Sequence, residues 1–75
     1  MKLSTLKEGQ SAIIKSINCD NKTRQKLEIL GVTDGAKITF IRSAPLFDPI
    51  ELKIRGYYLA IRKNVADKIM VKCIK

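Results

Sequence analysis

The sequence predicts a mainly β fold: a small, strongly bent barrel of five short strands, with one α-helix inserted after the first strand and short helical turns. Apolar and polar residues alternate with period two in several short segments, which is typical of half-buried strands. Helical spacing of apolar residues is confined to one segment, 23–30. The 75 residues, of which 45% are hydrophobic, leave room for one small domain, residues 1–75.

The first residues predict a helical turn followed by a strand. Leu3 and Leu6 lie three residues apart, as in a turn that closes one end of the barrel, and Gly9 then releases the chain. The first strand runs from Ser11 to Cys19. Its isoleucines, at positions 13, 14 and 17, fall on both faces. This strand is therefore either buried on both faces or bulged.

The inserted helix is predicted over Thr23 to Leu30. Asp20-Asn21 offers an N-cap, and Thr23, Leu27 and Leu30 form an inward apolar stripe at i, i+4 and i+7. Gly31 follows at the position where a left-handed C-terminal cap favours glycine. We expect the two leucines to be core residues rather than contact residues.

A stiff loop with two prolines connects the next two strands, 36–42 and 50–55. Pro45 and Pro49 cannot donate to a sheet, and each holds the preceding residue in extended geometry. A stiff loop that carries Leu46 and Phe47 needs little further ordering when a partner binds it. The loop, residues 43–50, is therefore the leading candidate for a contact surface.

The remaining residues predict a hairpin, a helical turn and a closing strand. Arg55-Gly56 is a tight reversal into a strand, 57–62, in which Tyr57, Leu59 and Ile61 point inward. Residues 63–67 form a helical turn, and residues 69–74 form the last strand. Tyr58 is the expected exposed aromatic residue of this sheet.

The chain is strongly basic, with 15 Lys and Arg against 7 Asp and Glu and a net charge of +8. Such a surplus attracts nucleic acid, an anionic membrane surface or an acidic protein face. The lysines are scattered, apart from a cluster over Lys22–Lys26, so a solvated basic surface is the simplest interpretation. No apolar run approaches the ~18 residues that span a bilayer. We expect a cytoplasmic protein without membrane insertion.

Residues for catalysis or for cofactor binding are scarce. The chain has no histidine, no glycine-rich phosphate loop and no close carboxylate pair, so we do not expect an enzyme. The aspartates at 34, 48 and 67 lie in predicted turns, where aspartate commonly bonds to its own backbone. Cys19 and Cys73 are expected as half-buried or buried thiols, and two thiols without histidine make a poor metal cage. We expect no cofactor and no metal site.

Several short motifs follow one another along the chain: Arg24-Gln25-Lys26-Leu27, Leu30-Gly31-Val32 with Gly35, Ala44-Pro45-Leu46, Asp48-Pro49-Ile50 and Leu59-Ala60-Ile61-Arg62. No single motif is specific, but their order and spacing together resemble the FeoA family, the small cytoplasmic proteins of bacterial ferrous iron uptake. The resemblance covers essentially the whole chain. The resemblance implies an SH3-like barrel that acts by contacting FeoB, a membrane iron transporter with a cytoplasmic GTP-binding domain.

Five residues are the expected partner-binding set: Arg24, Lys26, Arg42, Leu46 and Phe47. They would meet an acidic, partly apolar surface on the cytoplasmic part of FeoB, at the inner face of the plasma membrane. Members of the family often carry glycine where this chain has Phe47. Phenylalanine resists positive φ, so we expect a loop of altered shape in which Phe47 either folds onto the barrel or stays exposed.

Other functions stay open at this level. A small basic barrel binds RNA or single-stranded DNA in some proteins, although a stacking platform is missing here and no nucleic acid is expected. An arginine finger from Arg24 or Arg42, with Arg62 behind them, would stimulate GTP hydrolysis by FeoB, but solvated arginines are the favoured interpretation. Iron carriage through the two cysteines, a weak homo-oligomer, and activation or restraint of transport are also open.

Overall fold

The computed structural model describes residues 1–74, which form five strands, two α-helices and two 3-10 turns. In chain order these are a 3-10 turn (Leu3–Thr5), β1 (Ser11–Ile17), α1 (Asn21–Ile29), β2 (Lys37–Ser43), a second 3-10 turn (Pro45–Phe47), β3 (Ile50–Ile54), β4 (Tyr57–Ile61), α2 (Lys63–Ala66) and β5 (Ile69–Cys73). The prediction of a mainly β fold with one helix inserted after the first strand is confirmed.

All five strands belong to one antiparallel sheet with the order β4-β3-β2-β1-β5. Two bulges bend it. In β1 the extra residue is Lys15, because Ile14 pairs with Val71 and Ser16 pairs with the adjacent Met70. A second register shift lies in β2, between Phe40 and Arg42. Bulges increase the local twist and bend the strand, so a short sheet curls around one core.

The β1 bulge explains the mixed pattern of isoleucines in the sequence. Ala12, Ile14 and Ile17 are all buried, since the extra residue changes the parity of the strand between the last two. Of the two predicted alternatives, the bulge is therefore correct. The predicted end of this strand at Cys19 is wrong: the strand ends at Ile17, and Cys19 lies in a bend that leads into α1.

The core is made entirely of apolar side chains. Among the described residues no polar or charged side chain is buried, and the buried set is Leu3, Leu6, Ala12, Ile14, Ile17, Leu27, Val32, Ala36, Ile38, Phe40, Ile50, Leu52, Ile54, Ile61, Ala66, Ile69 and Val71. The helical turn predicted from Leu3 and Leu6 is confirmed, and both leucines enter this core.

Helix α1 ends in a Schellman motif. The N–H of Val32 donates to the carbonyl of Leu27 at 2.8 Å, and the N–H of Gly31 donates to the carbonyl of Glu28 at 3.0 Å. Gly31 has φ +87°, as predicted for the cap. Val32 and Leu27 are both buried, but Leu30 is 41% exposed, so its predicted place in the core is wrong. The cap turns the chain inward immediately after Leu30, so that Val32 rather than Leu30 packs into the core.

Candidate partner-binding site

The proline loop between β2 and β3 is closed by backbone hydrogen bonds. Ala44 donates to the carbonyl of Pro49 at 2.9 Å, and Phe47 donates to the carbonyl of Ala44 at 2.9 Å. Ala44 and Asp48, the residues before the two prolines, have extended backbones (φ −68°, ψ 168° and φ −152°, ψ 123°), as predicted. The Asp48–Pro49 peptide bond is cis.

The tip of this loop presents two large apolar side chains to solvent. Leu46 is 92% exposed and Phe47 is 70% exposed. Both lie in the left-handed region, with φ 68° and φ 62°, which is unfavourable for residues with a Cβ. The phenylalanine therefore adopts the positive φ that a glycine would favour. Of the two orientations that the sequence left open, Phe47 takes the exposed one.

The base of the loop is fastened to the start of α2 through Asp48. Its Oδ1 accepts a hydrogen bond from the backbone N–H of Lys63 at 3.0 Å and lies 3.9 Å from Nη1 of Arg62. The expectation that Asp48 would bond to its own backbone is wrong, because the end of β4 brings the N-terminus of α2 within reach. Asp67 is likewise bonded at a distance in sequence, to the hydroxyl of Ser4.

Next to the tip lies an open groove of about 420 Å³. Phe47 forms one side of it, and Leu6, Phe40 and Ile50 form its apolar floor; the remaining lining residues are Ser4, Lys7, Glu8, Ser43 and Lys63. Sequence reasoning missed this groove, because no local pattern places residues 4–8 against the end of β2. The only hint is the helical turn predicted from Leu3 and Leu6, since closing one end of the barrel brings that turn to the strand ends.

The basic residues beside the loop are on the surface. The side chain of Arg42 is exposed, and its Nε lies 3.4 Å from Oε2 of Glu51, the residue with which it pairs across β2 and β3. An exposed ion pair of this length holds an arginine only weakly. The ion pair therefore leaves the Arg42 side chain largely exposed to solvent.

The structure does not bring the helix residues of the predicted set together with the loop. Because the strands run antiparallel, α1 (after β1) and the β3–β4 turn lie at one end of the sheet, and the proline loop lies at the other. Consistent with this, Gly31 after α1 approaches the side chain of Tyr57 at the start of β4, whereas Asp48 contacts Lys63 after its end. The two ends are separated by roughly 13 Å of strand.

The two helix residues also differ from one another. Arg24 is half-buried, and its guanidinium donates a hydrogen bond to the carbonyl of Ile17 at the end of β1. Lys26 is exposed. The neighbouring Ile29 is 85% exposed, which the sequence did not suggest. Arg24 therefore links α1 to the end of β1 in this structure, whereas Lys26 lies on the exposed surface of the helix.

The two cysteines are half-buried free thiols, as expected. The Sγ of Cys73 lies 3.2 Å from the Sδ of Met1. Within residues 1–74 no group of three His, Cys, Asp or Glu side chains is placed to hold a metal ion. In that same range no helix is long and apolar enough to cross a bilayer.

Comparison with known proteins gives one consistent result. The family model for the FeoA domain matches residues 1–73. The chain is 34% identical, over 99% of its length, to an Fe(2+) transport protein A/Fe(2+) transporter FeoB fusion protein of Porphyromonas gingivalis, and it spans 9% of that protein. It is similar to the solution structure of FeoA from Chlorobium tepidum, with 41% identity, a TM-score of 0.95 and coverage of 100% of this chain and 71% of that one.

A third comparison identifies the architecture. The crystal structure of FeoA from Stenotrophomonas maltophilia, described as an SH3 domain protein, matches with a TM-score of 0.81 at 22% identity over 96% of this chain and 89% of that one. This likeness confirms the expected SH3-like fold. The match of the FeoA family model over residues 1–73 shows that the chain belongs to the FeoA family, which is associated with ferrous iron transport.

Proposed function

We propose that this chain is a cytoplasmic accessory protein of ferrous iron uptake, which binds the cytoplasmic part of the transporter FeoB and changes its activity by contact rather than by catalysis. The observation that carries the proposal is the relative from Porphyromonas gingivalis, in which transport protein A and FeoB are parts of one polypeptide. Joining two modules in one chain raises their effective concentration for each other. A fusion of this kind is favoured when the two parts act together.

The proline loop is the proposed contact. Leu46 and Phe47 are exposed, yet their backbone is fixed by the hydrogen bond between Phe47 and Ala44 and by the contact between Asp48 and Lys63. A fixed apolar tip loses little entropy on binding, and a buried phenylalanine is a typical centre of binding energy. We infer that the tip inserts into an apolar depression on FeoB.

Electrostatic attraction is the proposed means by which the two proteins associate rapidly. Arg42 lies next to the loop, and the chain as a whole carries a net charge of +8. Opposite charge on the partner would speed association, and salt would screen this effect. Lys26 and Arg24, at the other end of the sheet, contribute to this long-range field and are not expected to touch the surface that receives Phe47.

Binding of the full chain to purified FeoB in lipid nanodiscs tests both the function and the site. Phe47→Ser should weaken binding by roughly tenfold or more, since it removes a central apolar contact. Ile29→Ser is the matched control, because it removes another large exposed apolar side chain, 85% exposed against 70% for Phe47, at the opposite end of the sheet. It should leave the affinity unchanged.

The outcomes separate the two parts of the proposal. If the unaltered chain neither binds FeoB nor changes its GTP turnover, the proposed function is wrong. If it binds, but Ile29→Ser weakens binding and Phe47→Ser does not, the function stands and the loop is the wrong site. Urea unfolding of both variants shows whether each remains folded.

A further inference from the structure

The two edge strands of the sheet, β5 and β4, differ in whether another segment of the chain pairs with them. The β5 edge is covered by the first residues of the chain: Val71 donates to the carbonyl of Met1 at 2.7 Å, and Lys2 forms a β-bridge with Met70. The other edge is β4, and among residues 1–74 its one neighbour in the sheet is β3. A bare edge strand presents unpaired backbone groups that can pair with another strand.

The hairpin turn fixes which groups of β4 face outward. Arg55 and Gly56, with φ 50° and φ 85°, form a two-residue turn with positive φ at both positions, and Ile54 pairs with Tyr57 across it. The pair that closes such a turn exchanges both of its backbone hydrogen bonds. By alternation Leu59 and Ile61 also bond to β3, so the N–H and C=O groups of Tyr58 and Ala60 point away from the sheet.

The sequence of β4 lacks the residue types that commonly prevent pairing at a sheet edge. The strand reads Tyr-Tyr-Leu-Ala-Ile, with no charged residue and no proline, the two common means of blocking edge pairing. Tyr58 is 60% exposed and Ala60 is exposed as well. An open groove of about 340 Å³ follows the strand and is lined by Glu51, Tyr58, Leu59 and Ala60.

We propose that β4 is a self-association edge, at which two copies of this chain pair antiparallel about a two-fold axis through Leu59. In this register Tyr58 of each copy bonds to Ala60 of the other, and their outward groups form four backbone hydrogen bonds. The sheets of the two copies then join into one continuous sheet.

The side chains fit a second copy in this register. The large ring of Tyr58 faces the small Ala60 of the other copy, where the groove leaves room for it. Charges are complementary too. Lys53 places its Nζ 5.7 Å from the centre of the Tyr58 ring, and Glu51 is paired with Ala60 in the sheet. Across the interface, Lys53 and Tyr58 of one copy stand in line with Ala60 and Glu51 of the other. Each such line has a positive charge at one end and a negative charge at the other, and no like charges face each other.

Sedimentation equilibrium up to roughly millimolar protein, the range for a weak contact of small area, tests the association. Ala60→Pro should abolish dimer formation, because it deletes an outward N–H while keeping every hydrogen bond to β3. Ala60→Ser keeps that N–H and should still dimerise. A chain that stays monomeric throughout this range overturns the proposal.

A cross-linking experiment tests the register and does not depend on how well the proline variant folds. Two variants, Tyr58→Cys and Ala60→Cys, are prepared separately in a background that carries Cys19→Ser and Cys73→Ser. Each variant alone and a mixture of the two are then oxidised. A mixture of the two should form a disulfide-linked heterodimer, since the paired residues have Cα atoms about 5.5 Å apart. Each variant alone should remain largely unlinked. Equal linkage in the single variants contradicts the register.

Self-association uses none of the residues proposed to contact FeoB, so the two proposals fail independently. If Ala60→Pro loses binding to FeoB while the unaltered chain is monomeric, the edge pairs with an extended segment of the transporter and the self-association proposal is wrong. If the chain dimerises but does not bind FeoB, only the proposed function is wrong.

Discussion

Asp48 and Lys63, fifteen residues apart in the sequence, are joined by a hydrogen bond from the backbone N–H of Lys63 to the carboxylate of Asp48 at 3.0 Å. The bond connects the proline loop to the first residue of α2, where a helix has N–H groups without an internal partner. One side chain thus serves both as a cap for α2 and as an anchor for the loop.

Replacing Asp48 should therefore destabilise the protein. Asp48→Ala should lower the free energy of unfolding by about 1 kcal/mol, the usual cost of losing a capping side chain. Asp48→Asn keeps a side-chain oxygen that can accept the bond, and it should lose clearly less. Urea unfolding at neutral pH measures both. Equal losses in the two variants would mean that the hydrogen bond is not the source of the effect.

The contact between Ser4 and Asp67 should make stability depend on pH. The Ser4 hydroxyl, and then Lys63, lower the pKa of Asp67 below its usual value of 3.8. A carboxyl group with a lowered pKa stabilises the fold above its ordinary pKa, and this contribution is lost as the pH falls through the folded-state value. Ser4→Ala should therefore be less stable than the unaltered chain at pH 7.

The difference between Ser4→Ala and the unaltered chain should shrink as the pH is lowered below about 4, where Asp67 is protonated in the unfolded chain. Unfolding curves in urea at pH 7 and pH 3 measure it. Asp67→Asn supplies the control, since Ser4→Ala in that background should show no such pH dependence. A stability difference that is constant with pH would contradict the assignment.

Gly31 should tolerate alanine less well than Gly9 does. Both have positive φ, at +87° and +84°, but a Cβ on Gly31 would lie 3.2 Å from the hydroxyl oxygen of Tyr57, whereas Gly9 has open space. Gly9→Ala should cost only the left-handed backbone, about 1–2 kcal/mol, and Gly31→Ala should cost more. The excess should fall when Tyr57→Phe removes the hydroxyl, as a thermodynamic cycle from urea unfolding would show.

The two leucines of α1 should respond differently to truncation. Leu27→Ala opens a cavity in the core and should cost about 2–5 kcal/mol. Leu30→Ala removes a side chain that is 41% exposed and should cost less than about 1 kcal/mol. Thermal or urea unfolding of the two variants decides this. Similar losses would restore Leu30 to the core stripe that helical spacing predicts.

Local patterns were sufficient to predict most of the fold. Period-two alternation located the strands, and the glycines at 31 and 56 located the helix end and the hairpin turn, because only a few backbone conformations connect such elements. A bulge in β1 could be inferred only as one of two alternatives, and its position at Lys15 is seen only in the structure. A bulge depends on the partner strand, and the partner is not visible in a local window.

The candidate site was harder to predict, because pairing between distant segments creates it. The flanking prolines predict the stiff loop that carries Leu46 and Phe47, but the exposure of Phe47 was left open by the sequence and is seen only in the structure. The anchor from Asp48 to Lys63 and the groove beside Phe47 depend on strand register, so no spacing rule predicts them. The sequence also does not show how Arg24 lies relative to the loop, since it is the sheet topology that places them at opposite ends.

The wholly apolar interior has a consequence for how this small protein acquires a unique shape. With no buried polar side chain among the described residues, nothing inside the molecule selects one arrangement of isoleucines and leucines over another by hydrogen bonding. The single native arrangement must then be specified at the surface, by glycines with positive φ, by the bulges and by hydrogen bonds such as the one that Asp48 accepts. Substitutions of similar volume in the core should therefore lower the free energy of unfolding less than single-atom changes in the turns do.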